Sequence, residues 1–133
     1  MSSDEVAKLH DAYVAAWMAD DRERAMEYWS DDIVMRVPGA HAHAGIYRGK
    51  VEVQRNLIDR IYEETSEAEV FGLLDRGIGS EHVFTIVHER FQKADGRVFE
   101  TARIVVYKWK NQKIVEVLYV DPDHAAAEAF WRP

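Results

Sequence analysis

The chain has 133 residues, 47% of them hydrophobic and 31% charged, and carries a net charge of −7 with no cysteine. That composition excludes a disordered chain, a disulfide-stapled scaffold, and any site that needs a thiolate. The negative charge, with no compact Lys/Arg cluster, argues against a nucleic-acid partner, because such a surface repels phosphate backbones.

Residues 5–19 read as an amphipathic helix, with Val6, Leu9, Tyr13, Ala16 and Trp17 recurring at three- and four-residue steps. Asp4, or Ser3 before it, is the expected N-cap. Asp20 and Asp21 cap a short second helix with Ala25, Met26, Tyr28 and Trp29 on its apolar side. A short strand over Ile33–Val37 closes at Pro38-Gly39, and a loop with two histidines and two glycines runs from Ala40 to Gly49. A third helix follows over Lys50–Glu64, with Val53, Leu57, Ile58 and Ile61 on one stripe. The period then changes to two. Strands are predicted over Glu69–Leu74, Glu81–Gln92, Val98–Lys110 and Lys113–Val120, and a short helix over 123–131. The Met1–Lys8 segment does not read as a signal peptide, and no apolar run approaches the roughly 20 residues of a membrane helix. The expected place is the cytoplasm and the expected organisation a single domain over 1–133. Helices gathered before a meander of strands predict an α+β architecture, three N-terminal helices against a curved antiparallel or mixed sheet, with a pocket between them.

Several stretches carry a resemblance to a known family: Tyr13-Val14-Ala15-Ala16-Trp17, Tyr28-Trp29, the segment Ser30 to Gly39 ending in Val37-Pro38-Gly39, Ala44 to Gly49, and Tyr119-Val120-Asp121. Together these resemble the nuclear transport factor 2-like superfamily with its cystatin-like cone, and within it the SnoaL-like polyketide cyclases. The resemblance implies a cone-shaped fold, no cofactor, and a homodimer. It fixes the reaction less well, because one fold hosts many chemistries. Ketosteroid isomerases of this superfamily place catalytic aspartates where this chain has Val37 and Val105, and share only the tyrosine at Tyr13; steroid isomerisation is therefore not expected. Epoxide hydrolases of the fold use an arginine and two aspartates; Arg103 and Asp121 are similar to the arginine and the second aspartate, while Val105 replaces the first. The cyclases use an aspartate on the last strand as base with a nearby histidine, and Asp121 and His88 are similar to that pair.

The strand register tests this. A two-residue turn at Asp95-Gly96 sets Ala94 opposite Arg97 and His88 opposite Arg103, and period two then gathers His88, Arg103, Val105 and Tyr107 on one face. A three-residue loop at Lys110-Asn111-Gln112 brings Tyr119 opposite Arg103 and Asp121 opposite Thr101; a two-residue loop sends Asp121 to the other face. On the first arrangement Asp121 is the general base, His88 the partner acid, and Arg103 the group that holds the base or binds a developing oxyanion. Tyr13, Trp17, Val37, Val105, Tyr107 and Tyr119 line the substrate pocket, with His43 at its mouth. His41 and His43 with His88 invite a zinc reading, but the spacing lacks a supporting ligand pattern, and no metal is expected. His10, His82 and His124 read as surface or packing residues, and Trp29, Trp109 and Trp131 as core or interface aromatics. The expected activity is acid–base chemistry (cyclisation, isomerisation or dehydration) on a small apolar oxygenated molecule. Epoxide hydrolysis and a non-catalytic binding or dimerisation module are the alternatives. Apolar side chains on the second sheet face point to a second subunit covering it.

Overall fold

Antiparallel pairing of long strands organises the computed structural model, which describes residues 1–132. α1 (Ser3–Met18) and α2 (Arg22–Met26) precede β1 (Trp29–Val37) and β2 (Gly45–Arg48). One continuous helix follows, with α-helical ends α3 (Lys50–Val53) and α4 (Asp59–Glu64) flanking a π-helical turn at Gln54–Ile58. β3 (Glu67–Ile78), β4 (His82–Gln92), β5 (Val98–Lys110), β6 (Lys113–Val120) and α5 (His124–Phe130) complete the chain. The six strands form one sheet in the order β2-β1-β6-β5-β4-β3, antiparallel except where β1 runs parallel to β6. The sheet is thus mixed, and β2 is an element the periodicity did not reveal; four residues, the first of them a glycine, are too short to show a pattern.

Helix boundaries follow their caps. α1 starts earlier than the apolar repeat suggests, because Ser2 is its N-cap and accepts from the Glu5 backbone N–H. Asp21 caps α2 by accepting from the Arg24 N–H at 3.2 Å, and Trp29, expected on that helix, opens β1 instead. α1 buries Val6, His10, Tyr13 and Ala16 against the sheet.

Alternation along β1, β4 and β5 sends Ile33, Met35 and Val37, then Val83, Thr85, Glu89 and Phe91, then Phe99, Thr101, Arg103, Val105 and Trp109 inward. Edge strand β3 is bulged twice, at Phe71 and at Leu74, each left without a partner on β4. Bulges bend a strand and sharpen its twist, which curls this edge of the sheet toward the helices. Two apolar clusters result. The larger packs α1 and the long helix onto β1, β5 and β6; the smaller joins Phe91 and Phe99 to Ala127, Phe130 and Trp131 of the C-terminal segment. α5 also ties down the 38–44 loop, where the Ala40 N–H donates to Glu128 Oε1 at 2.7 Å. No helix is long and apolar enough to cross a membrane among the described residues.

Candidate functional site

Between the two clusters lies a cavity of about 260 Å³. Tyr13 and Trp17 of α1, Leu57 of the π-helical turn, and Tyr107 and Tyr119 of the sheet form much of its aromatic and aliphatic wall. The π-helical turn places Leu57 and Ile58 on that wall while the α-helical ends keep their packing; single π turns of this kind concentrate at functional sites.

Polar chemistry enters through β4, β5 and the residue after β6. The Arg103 guanidinium is buried and lies between two carboxylates: Nη1 donates to Glu89 Oε2 at 3.3 Å and Nε to Asp121 Oδ1 at 3.1 Å. Its carbon sits 4.7 Å from the Tyr119 ring centroid and 5.8 Å from that of Phe91. Glu89 and Arg103 face the cavity, whereas Asp121 holds the guanidinium from behind and takes no part in the wall. Burial pushes the Glu89 carboxyl above the ordinary carboxylate range, and Arg103 beside it offsets only part of that rise. Burial opposes the Arg103 charge, but Glu89 and Asp121 outweigh it and hold the guanidinium charged. The Tyr107 and Tyr119 hydroxyls are pushed up by burial and stay protonated.

Two turns decide which side chains reach this site. The β4–β5 loop has three residues, Ala94, Asp95 and Gly96, because Lys93 and Arg97 close it; the Lys93 N–H donates to the Arg97 carbonyl at 2.9 Å. Gly96 takes the positive φ of +92° that ends such a loop. A two-residue turn was expected, so the real register differs by one. Val87, not His88, faces Arg103, and His88 pairs with Ala102. A one-residue slip exchanges sheet faces. His88 therefore lies on the outer face, bonded to Glu100 at 2.8 Å with its ring against Phe71, and is not the acid partner of the site. Glu89 takes its place inside. This also disperses the histidine trio considered for zinc, and no group of three or more candidate metal ligands assembles among the described residues.

The β5–β6 turn has two residues, Asn111 and Gln112, both with positive φ, as a type I′ turn requires. By itself that would send Asp121 outward. A bulge at Val115 between the Lys108–Glu116 and Trp109–Ile114 pairs adds one residue and restores the parity. Tyr119 consequently faces Val105 rather than Arg103, and Asp121 still arrives beneath Arg103.

The other expected wall residues divide cleanly. Tyr13, Trp17, Val37, His43, Tyr107 and Tyr119 line the cavity. Val105 faces inward but lies below the wall, in the core, where its carbonyl accepts from Thr85 Oγ1 at 2.8 Å. His43 is not a mouth residue; it is 1% exposed and its Nε2 meets Glu64 Oε2 at 2.8 Å. Glu89, Phe91, His41 and Trp131 were missed as wall residues. The glycine third in Ala94-Asp95-Gly96 was the available signal for Glu89 and Phe91, since it suits a three-residue loop as well as a two-residue one.

A family model described as the SnoaL-like domain matches residues 10–117, which takes in the cavity's helices and most of its sheet. The chain belongs to the SnoaL-like domain family. Solved structures agree on the fold. Bal32a, from a soil-derived mobile gene cassette, is 20% identical over 98% of each chain with a TM-score of 0.87. A Xanthomonas campestris protein of unknown function with a cystatin-like fold is 22% identical over 100% of each chain, with a TM-score of 0.85. A Mesorhizobium loti protein bearing the name SnoaL-like polyketide cyclase is 18% identical over 86% of this chain and 97% of its own, with a TM-score of 0.71. At these identities the likeness is one of fold. No curated protein matches the sequence. SnoaL-like membership thus accounts for the cone and its cavity, and the reaction has to be argued from Glu89, Arg103 and Asp121.

Proposed function

We propose that this SnoaL-like domain is an acid–base enzyme that uses its own side chains, without a cofactor, to isomerise, cyclise or dehydrate a small, flat, oxygenated molecule. The observation that carries the reading is Glu89, a carboxylate of raised proton affinity on the wall of a largely apolar cavity, bonded to an arginine that a second carboxylate holds in place. Such a carboxylate holds its proton more tightly than an exposed one and is placed to exchange it with carbon or oxygen of a bound ligand. Arg103 has five N–H groups, and bonds to Glu89 and Asp121 occupy only two, so the rest are free for a carbonyl oxygen as it gains charge. Asp121, first read as the base, serves this reading better as the group that positions Arg103. Polyketide-like ketones fit the aromatic wall, and the name borne by the Mesorhizobium loti neighbour points to the same substrate class.

The test is deuterium incorporation from heavy water into a panel of aryl ketones and 1,3-diketones, followed by NMR. Enzyme-dependent exchange lost in Glu89→Gln supports the reading; exchange that survives that change removes Glu89 from it. Binding without exchange anywhere in the panel favours a ligand-binding module instead.

Epoxide hydrolysis is the second reading, and one observation favours it. Glu89 supplies, from the neighbouring strand, the carboxyl acid that Val105 does not. Diol formation from simple terpene epoxides separates the two. We further infer that two copies pair through the outer sheet face, where Phe71, Phe84 and Ile86 are left exposed.

A further inference from the structure

Among the described residues, four buried side-chain nitrogens lack a hydrogen-bond partner: His10 Nε2, His41 Nε2, His43 Nδ1 and Trp131 Nε1. All four belong to residues of the cavity wall. Unpaired buried polar atoms are costly and rare, and their confinement to one cavity marks it as built to receive polar atoms.

The partners of the opposite ring nitrogens fix what each free atom offers. His41 Nδ1 accepts from the His43 backbone N–H at 3.1 Å, so its Nε2 carries the proton and is a free donor. Trp131 Nε1 can only donate. His43 is the reverse case. Its Nε2 lies 2.8 Å from the Glu64 carboxylate, which accepts a proton and cannot supply one, so Nδ1 is left as a bare acceptor. Burial lowers the proton affinity of both histidines and keeps them neutral, with Glu64 opposing this at His43 and Arg60 and Lys93 reinforcing it. The three residues form one group. The His43 and Trp131 ring centroids are 4.7 Å apart, and those of His41 and Trp131 6.5 Å. Phe91 touches both this group and Arg103, with its centroid 5.3 Å from that of Trp131 and 5.8 Å from the guanidinium carbon.

We propose that His41, His43 and Trp131 form a second polar subsite, in which His43 Nδ1 accepts a hydroxyl of the ligand while His41 and Trp131 donate to its oxygens. It deepens the proposed function, on which it rests. The ligand class becomes a flat aromatic or enolic molecule with a carbonyl oxygen toward Arg103 and a hydroxyl beyond Phe91, toward His43. Glu64 is a positioning residue, acting through the tautomer of His43.

Calorimetric titration with 2-naphthol and its methyl ether tests this, since the ether keeps the ring and loses the donor. The wild-type protein prefers the naphthol by about fivefold, the worth of one hydrogen bond. The preference disappears in His43→Asn and in Glu64→Met, which frees the tautomer without opening the core because the Glu64 side chain is 37% exposed. It returns in Glu64→Gln, whose amide oxygen still accepts from Nε2. Nitrogen-15 NMR of the histidine rings shows His43 unprotonated at Nδ1, with that signal moving upfield as naphthol binds. Equal binding of the two probes, a preference that survives both variants, or a proton on His43 Nδ1 overturns the subsite alone and leaves Glu89 and Arg103 as argued. Failure of both probes to bind overturns the subsite together with the reading of the cavity as a site for flat oxygenated ligands.

Discussion

Glu89 and Arg103 meet diagonally across the β4–β5 ladder, Oε2 to Nη1 at 3.3 Å, with both side chains nearly excluded from solvent. Asp121 adds a second carboxylate to the same guanidinium, so that two acids share one positive charge and the Asp121 charge raises the proton affinity of Glu89. Three ionisable groups thus share a small, largely apolar volume, an arrangement that costs desolvation energy.

Glu89 sets a pH dependence with a definite sign. Its folded pKa is raised, so the unfolded chain ionises first as pH rises, and the stability present below the ordinary carboxylate pKa is lost as pH climbs through the raised one. Glu89→Gln does not titrate. Urea unfolding of both proteins from pH 4 to pH 8 should show the variant gaining on the wild type with rising pH. Parallel curves would mean that Arg103 cancels the burial cost in full.

Asp121→Asn leaves the buried Arg103 with Glu89, a carboxyl of raised proton affinity, as its remaining acidic partner. Breaking one partner from a buried charge pair costs on the order of 3 kcal/mol. The change should lower the unfolding free energy by about that amount and weaken binding of ketone ligands, while Asp121→Glu recovers part of both. An unchanged melting temperature would show that Arg103 does not depend on this carboxylate.

His10 predicts an acid-labile contact between α1 and β5. Burial and the Arg76 charge lower its pKa to about 4, against a slight opposing effect of Asp11, and its Nδ1 accepts from Trp109 Nε1 at 3.2 Å. The unfolded chain protonates near 6.5 and the folded one only near 4, so stability is intact above 6.5 and declines between the two values, by on the order of 3 kcal/mol. His10→Gln should flatten that decline, and the Trp109 indole N–H resonance should shift only as pH approaches 4. A shift centred near 6.5 would place His10 in contact with solvent.

The outer face gives an oligomeric test. Phe84 is 52% exposed and Ile86 39%. Light scattering after size exclusion should give twice the 15.4 kDa chain mass, and Phe84→Glu should reduce it to one. A wild-type monomer removes the proposed dimer.

Much of this architecture was legible in the chain. Apolar spacing over residues 50–64 defined the long helix, and the two hairpin signals delimited β5 and β6 at the residues where they begin and end. The helical period sets Tyr13 and Trp17 on the apolar side of the first helix, and the strand period sets Tyr107 on one face with Arg103; the period does not say that this face turns inward, since both faces are apolar. Arg103 and Asp121 were paired correctly, although through a loop length that does not occur: a two-residue turn and the Val115 bulge together keep the parity that a three-residue loop was expected to supply.

By itself, then, the sequence determined the α+β class and the set of residues that shares one face of β5, Arg103, Val105 and Tyr107, since these follow from local period and composition; the Arg103–Asp121 pair came from the family resemblance, and which face turns inward was left to the fold. Only the tertiary structure decided that Glu89, not His88, enters the cavity, and that His43 leans on Glu64 instead of guarding an entrance. The reason is physical. Both faces of β4 are apolar enough to be buried, so hydrophobicity cannot choose between them, and one residue more in the Ala94–Gly96 loop turns the strand over. The contacts of His43 lie across the cone, on a helix 21 residues further along the chain, and no local pattern records them.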